Sequence, residues 1–294
     1  MLTYVKYLEY CKIKLVKRIK IVTDSVSCIP KEIIKKLDIK VVPFYFKIDN
    51  KEYKDGIDID TRDVYKFVEE GYPFRAYPPK VEDFLNVFNS LKEKVILCIT
   101  LSSTFSACIR NCKIAKEMVK DKKIEVIDSL NGAAGEGLLA IYASRLSEKG
   151  KKLTEIVSLT KRLATRIKTV VMLDTIKYVF RTGRIPKTLS NFGSLFSLKP
   201  ILMLHNGKIK PVKLVRNKDR GIQKLLEILL REKEPLHVVV MHADDEIEGR
   251  KLVKKIKETV AVREIFLTEF TPIMGFATGK KLIGVSFYSE RGEL

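Results

Sequence analysis

The stretch Val95–Lys149, VILCITLSSTFSACIRNCKIAKEMVKDKKIEVIDSLNGAAGEGLLAIYASRLSEK, sets out one structural unit twice. Val95–Thr100 is an unbroken apolar and β-branched run of strand length, and it empties into Leu101-Ser102-Ser103. Phe105–Lys120 follows with helical spacing. Ile124-Glu125-Val126-Ile127 is a second strand ending at Asp128-Ser129, and Asn131–Lys149 is a second helix, entered through Gly132 and Gly135. Strand, helix, strand, helix in succession predicts a parallel sheet with helices on its faces, because parallel neighbours need a crossover.

Upstream the same grammar holds. Lys20–Thr23 reads as a buried strand ending at Asp24-Ser25, and Pro30 opens a helix over Lys31–Leu37. Val41–Ile48 reads as a strand, with an Asp49-Asn50 turn and a short partner at Lys51–Tyr53. Thr61 caps a helix to about Glu70, and Lys80–Leu91 gives another. Downstream, Leu153–Ile167 is an amphipathic helix, followed by strands at Thr169–Met172, Ile201–Leu204, Leu236–Met241, Arg263–Thr268 and Leu282–Phe287. Helices at Lys218–Arg231 and Glu246–Val260 separate them. The expected architecture is α/β and two-lobed: a Rossmann-like parallel-sheet lobe over 20–167, a C-terminal α/β lobe over 168–294, and a ligand cleft between them.

Residues 1–19 form a basic amphipathic extension in which Val5, Leu8, Leu15 and Ile19 share a helical face. Contact with an anionic membrane surface and a mis-assigned start both account for it. No apolar run approaches the ~18 residues of a membrane span. The chain has 294 residues, 46% hydrophobic and 31% charged, which fits a globular protein with a sizeable core. Its five cysteines, at 11, 28, 98, 108 and 112, are odd in number and contain no CxxC, so neither disulfides nor a metal site is expected, and a reducing cytoplasm is. A net charge of +20 raises nucleic-acid binding as an option. The lysines are scattered singly and in pairs such as Lys122-Lys123, without a nucleic-acid motif, so none is expected.

Ligands of open α/β sheets sit beyond the carboxyl ends of the strands. Three such ends carry hydroxyls: Asp24-Ser25, Ser102-Ser103 and Asp128-Ser129. The Ser102–Ser106 turn combines hydroxyls with the N–H groups of a helix start, a donor set suited to a carboxylate or phosphate. Capping alone also accounts for such serines. A second polar point is the turn around Gly183, flanked by Arg181 and Arg184 and followed by the apolar segment Leu195–Leu204. Cations beside an apolar wall suit a ligand anionic at one end and apolar at the other. No nucleophile elbow, Walker loop or dinucleotide fingerprint occurs. Asp24 and Asp128 as paired carboxylates of a small-molecule phosphotransferase or hydrolase are the alternative function.

The segments Ile21–Ser25 (IVTDS), Leu101–Val119, Val126–Ala140 and FRTGRI followed by SLKPILMLHNGKI resemble the DegV family, in order and spacing from about Lys20 to the C-terminus. The resemblance implies a two-lobed protein without catalytic residues or cofactor that holds one long-chain fatty acid, such as palmitate, and presents it to a separate fatty-acid kinase. It implies head-group roles for Ser102, Ser103, Ser106 and Arg184. Phe192, Leu195, Phe196, Ile201 and Met203 become candidates for the tail, with ordinary core packing as the competing role. Three positions depart from the family's pattern. Ala76 stands where the TSQP loop has its threonine, Ala277 stands where the HTGPG segment has its histidine, and Ala107-Cys108 replaces the Gly-Thr of SGT. Either Ser102 and Ser103 hold the head group with Thr278 or Arg75 compensating, or the ligand is a different amphiphile.

Overall fold

The computed structural model describes residues 19–73, 75–185 and 198–291. Expectations placed on residues 1–18, and on Phe192, Leu195 and Phe196, therefore lie outside the described residues.

The first sheet is parallel throughout. Strands β1 (Lys20–Asp24), β2 (Lys40–Val42), β6 (Val95–Thr100) and β7 (Lys123–Asp128) lie in the order β2-β1-β6-β7. Between β2 and β6 the chain builds a small antiparallel sheet of β3 (Tyr45–Ile48), β4 (Lys51–Lys54) and β5 (Arg75–Tyr77), with β3 in the middle. The strand expected over Val41–Ile48 is thus two strands in two sheets. Pro43 lies at the break, where a residue without an N–H cannot extend a ladder. Around these strands pack α1 (Lys31–Leu37), α2 (Thr61–Glu69), α3 (Val81–Ser90), α4 (Cys108–Met118), α5 (Ala134–Glu148) and α6 (Leu153–Ala164). Asp60, not Thr61, caps α2, accepting from the N–H groups of Arg62 and Asp63.

The second sheet is mixed, with six strands: β8 (Lys168–Met172), β9 (Lys199–His205), β10 (Lys208–Val215), β11 (Leu236–His242), β12 (Val262–Glu269) and β13 (Ile283–Ser289). Their order is β10-β9-β8-β13-β11-β12, and only β11 and β12 run parallel. The Asn206-Gly207 turn makes β9 and β10 a hairpin, both residues taking positive φ. Helices α8 (Lys218–Leu229) and α9 (Glu246–Thr259) cover one face. Two short helices, α7 (Lys177–Arg181) and α10 (Pro272–Thr278), complete the chain.

Buried side chains fall into three layers. Phe84, Phe88, Cys108 and Cys112 pack on the outer face of the first sheet, and Leu225, Leu229, Leu252 and Ile256 pack on the outer face of the second. Between the sheets lies a central layer built around α5, twelve of whose fifteen residues are buried. A helix apolar on all sides belongs in such a position. Gly137 permits it: a Cβ there would come within 2.5 Å of the Ser27 carbonyl oxygen.

Candidate functional site

At one end of the central layer the packing gives way to a cavity of about 190 Å³, more than ten times the ~10–15 Å³ that one water needs on the same measure. Its wall comes from both sheets and from α10. Val171, Leu202, Leu204 and Ile209 supply the β8–β9–β10 side, Leu101, Phe105 and Ser106 follow β6, and Ile273, Met274, Ala277 and Thr278 come from α10. Phe44 and Ala76 close the wall on the small-sheet side.

Strand periodicity decides which residues reach this space. Along β9, Ile201 packs in the outer core with Val215 and Leu225, and Met203 packs against the same cluster. Leu202 and Leu204 point the opposite way and line the cavity. Ile201 and Met203, expected as tail contacts, are therefore on the face away from the cavity, and Leu202 and Leu204 are on the face that lines it. The β9 sequence is apolar on both faces, so alternation of residue type gave no phase.

The polar groups of the wall are few. Among the described residues no Asp, Glu, Lys or His lines the cavity, and Arg184 is the one cation. Thr169 Oγ1 donates 2.8 Å to Asn131 Oδ1 and lies 2.7 Å from Ser286 Oγ. Thr182 and Thr278 donate to the carbonyls of Val179 and Met274, at 2.6 and 2.9 Å. Ser106 accepts the Cys108 N–H at 3.2 Å, which leaves its own O–H without an acceptor among the described residues. Arg184 donates from Nε to Phe105 O at 3.1 Å and from Nη1 to Thr182 O at 2.8 Å, which lays its guanidinium along the rim. Partial burial lowers its pKa from the ordinary value.

The remaining expected site residues separate. Ser102 is fully buried, its hydroxyl 2.9 Å from that of Thr104, which donates 3.0 Å to Gly207 O; the pair braces the β9–β10 turn and does not line the cavity. Ser103 is exposed, and its N–H points to the Asp128 carboxylate at 3.3 Å. The helix expected from Phe105 begins at Cys108, so the N–H groups of 102–104 serve a turn instead of a helix start. Arg75 is exposed on the edge strand β5 and lines no part of the cavity. Arg181 is a clamp between elements. It donates to the carbonyls of Tyr72 and Phe276 and sits 4.7 Å from the Phe276 ring centroid and 5.0 Å from that of Tyr178. Ala76 and Ala277 do face the cavity, and neither brings a polar side-chain atom.

Asp24 and Asp128 do not form a pair. β6 lies between their strands, which separates them by two strand spacings, about 9–10 Å. Asp24 is buried and accepts from the N–H groups of Val26 (3.1 Å) and Leu101 (2.8 Å) and from the Cys108 thiol (3.4 Å). Its pKa is raised to about 6 by burial, which those donors only partly offset. It holds two cavity-lining segments together, since Val26 and Leu101 both contribute to the wall. Among the described residues no cluster of His, Cys, Asp and Glu converges on a metal position.

An α/β protein with an apolar chamber lined, among its described residues, by one cation is the class these features define. The DegV family model, described as an uncharacterised protein family, matches residues 18–290. The chain belongs to the DegV family. It is 31% identical over 279 residues to a DegV domain-containing protein of Caldanaerobacter subterraneus, covering 92% of this chain and 99% of that one. Among solved structures, a DegV family protein of Thermus thermophilus described by its fatty acid binding superimposes with a TM-score of 0.86 at 23% identity, covering 92% of this chain and 99% of that one. A stearic acid-binding protein of Eubacterium ventriosum gives 0.86 at 24% identity, covering 94% and 100%. DegV of Bacillus subtilis, a fatty acid binding protein, gives 0.83 at 23% identity, covering 93% and 100%. Among the described residues no helix is long and apolar enough to cross a membrane.

Proposed function

We propose that this protein is a cytoplasmic, non-enzymatic carrier that holds one long-chain fatty acid in the cavity between its 20–167 and 168–294 lobes and presents the carboxylate to a separate fatty-acid kinase. The observation that carries this reading is the distribution of polarity. The wall is apolar, its threonine hydroxyls are internally bonded, and the Ser106 O–H and the Arg184 guanidinium lie beside Phe105. An acyl chain in the apolar part gains roughly 10 kcal/mol gross for sixteen carbons at about 0.8 kcal/mol per methylene, less several kcal/mol of association cost. The carboxylate requires donors, since a buried unpaired charge is expensive. Ser106 and Arg184 supply them, with Thr278 alongside. Leu202, Leu204 and Met274 form the tail wall. The relatives described by fatty acid and stearic acid binding support the same assignment.

The test is solvent extraction and mass spectrometry of protein purified from a bacterial host. One equivalent of C16–C18 fatty acid is expected, and the apo protein should take up palmitate. Arg184→Gln with Ser106→Ala should weaken palmitate binding roughly tenfold or more, the value of one or two charge-assisted hydrogen bonds. A folded preparation that carries no lipid and takes up none rules the reading out.

A further inference from the structure

A second cavity, of about 460 Å³, adjoins the apolar one and shares Phe105, Arg184, Ile185 and Ile209 with it. Its wall adds Lys208 and Lys210, both exposed on the edge strand β10. Neither lysine makes an ion pair or hydrogen bond among the described residues, and no Asp or Glu lines either chamber. The two spaces therefore form a sequence: an apolar chamber, a rim carrying Arg184, and an antechamber carrying two further cations. A carboxylate has a single negative charge and two oxygens, and Arg184 with Ser106 already answers it. Three cations around a space that borders the apolar one suit a more strongly charged head.

We infer that, besides a fatty acid, the two spaces together take a single-chain lipid whose head group is a phosphate monoester, with its acyl chain in the apolar chamber and its phosphate among Arg184, Lys208 and Lys210. This rests on the reading that the apolar chamber takes an acyl chain, and it names the head group. A phosphate monoester carries about −1.5 to −2 charges at neutral pH and three strong acceptor oxygens, so it engages three cations where a carboxylate engages one or two. Ala76 and Ala277 present only methyl groups to the apolar chamber and add no donor for a phosphate there.

The experiment is equilibrium competition against a fluorescent fatty acid on the full chain, below micelle concentrations, with three ligands of one acyl chain: oleate, 1-oleoyl lysophosphatidate and 1-monooleoylglycerol. Lysophosphatidate is expected to bind at least about tenfold more tightly than oleate, a difference of about 1.4 kcal/mol. Lys208→Ser with Lys210→Ser should bring the two within about twofold of each other while leaving the neutral glyceride's affinity unchanged. Oleate binding as well as or better than lysophosphatidate overturns the inference and leaves the fatty-acid reading standing. So does a phosphate preference that survives in the double variant. Failure of all three ligands to bind overturns both.

Discussion

Glu136 shows how a single side chain is tuned by burial in the central layer. Glu136 lies in the first turn of α5, fully buried; Oε1 accepts from Thr23 Oγ1 at 2.8 Å and Oε2 has no hydrogen-bond partner. Burial, and next the charge of Asp24, raise its pKa well above the ordinary value. A carboxyl with a raised folded pKa is bound to its proton more firmly in the native state. Stability is therefore intact below the ordinary value near 4.5 and falls as pH rises from there toward the folded value. Glu136→Gln keeps the acceptor for Thr23 and removes the ionisation. Urea unfolding should show the variant gaining on the parent as pH rises above 4.5, and a difference that does not change with pH would rule this account out. Close approach sets a second residue-scale limit at Gly135, where a Cβ would meet Asn131 Oδ1 at 2.2 Å and Thr169 Oγ1 at 2.5 Å. Gly135→Ala should cost about 1–3 kcal/mol in equilibrium unfolding, the usual range for overpacking. At this scale the sequence was only partly legible. Hydroxyls at strand ends could be located by position, but whether Ser102, Ser103 or Ser106 faced the cavity depended on hydrogen bonds to Thr104, Asp128 and Cys108 that no spacing encodes.

Elements read well where a buried parallel strand or an amphipathic helix writes a strong pattern. β6, β7 and α1 fall where the apolar runs place them, give or take a terminal residue. The misses have physical causes. β10 reads Lys-Ile-Lys-Pro-Val-Lys-Leu-Val, and its lysines and Pro211 are edge-strand features that lower apparent strand character while protecting an open ladder. β5 is three residues long, too short for a period to show. The β9 phase matters most, because Ile201 and Met203 pack in the outer core while Leu202 and Leu204 line the cavity. It also makes the strand a sharp test of the cavity. Leu204→Trp should fill space on the lined face and abolish most palmitate uptake while the protein stays folded. Ile201→Ala, in the outer core and fully buried, should cost about 2–5 kcal/mol of stability and leave the affinity of the folded protein close to the parent's. Binding data from the two variants in the reverse order would place the ligand on the other side of the sheet.

Across the whole molecule, α5 ties the sheets together. It packs along β1 on one side and along β11 and β13 on the other, and it ends its contacts with a charged clasp. Arg145 of α5 makes a two-pronged bond to Glu264 of β12, with Nη2 to Oε2 at 2.5 Å, and His237 Nδ1 of β11 lies 2.7 Å from Oε1. The His237 ring stacks on Tyr288 with centroids 4.5 Å apart, which fixes the imidazole in line with the carboxylate. Burial by itself would raise the Glu264 pKa, but the hydrogen bonds and charges of Arg145 and His237 outweigh it and hold it at about 2. A depressed folded pKa contributes stability that is fully present above the ordinary value of 4.5 and is lost as pH falls from there toward 2. The shift corresponds to on the order of 3 kcal/mol. Glu264→Gln should therefore lower the urea midpoint at pH 7, and its deficit should shrink steadily as both proteins are taken from pH 5 to pH 3, because the parent loses the interaction that the variant already lacks. Because the cavity wall draws on both sheets, bound palmitate should add to the same linkage. At a hundredfold excess over Kd it should raise stability by about 2.7 kcal/mol in parent and variant alike. A deficit that stays constant down to pH 3 would show that Glu264 acts through packing and not through its charge.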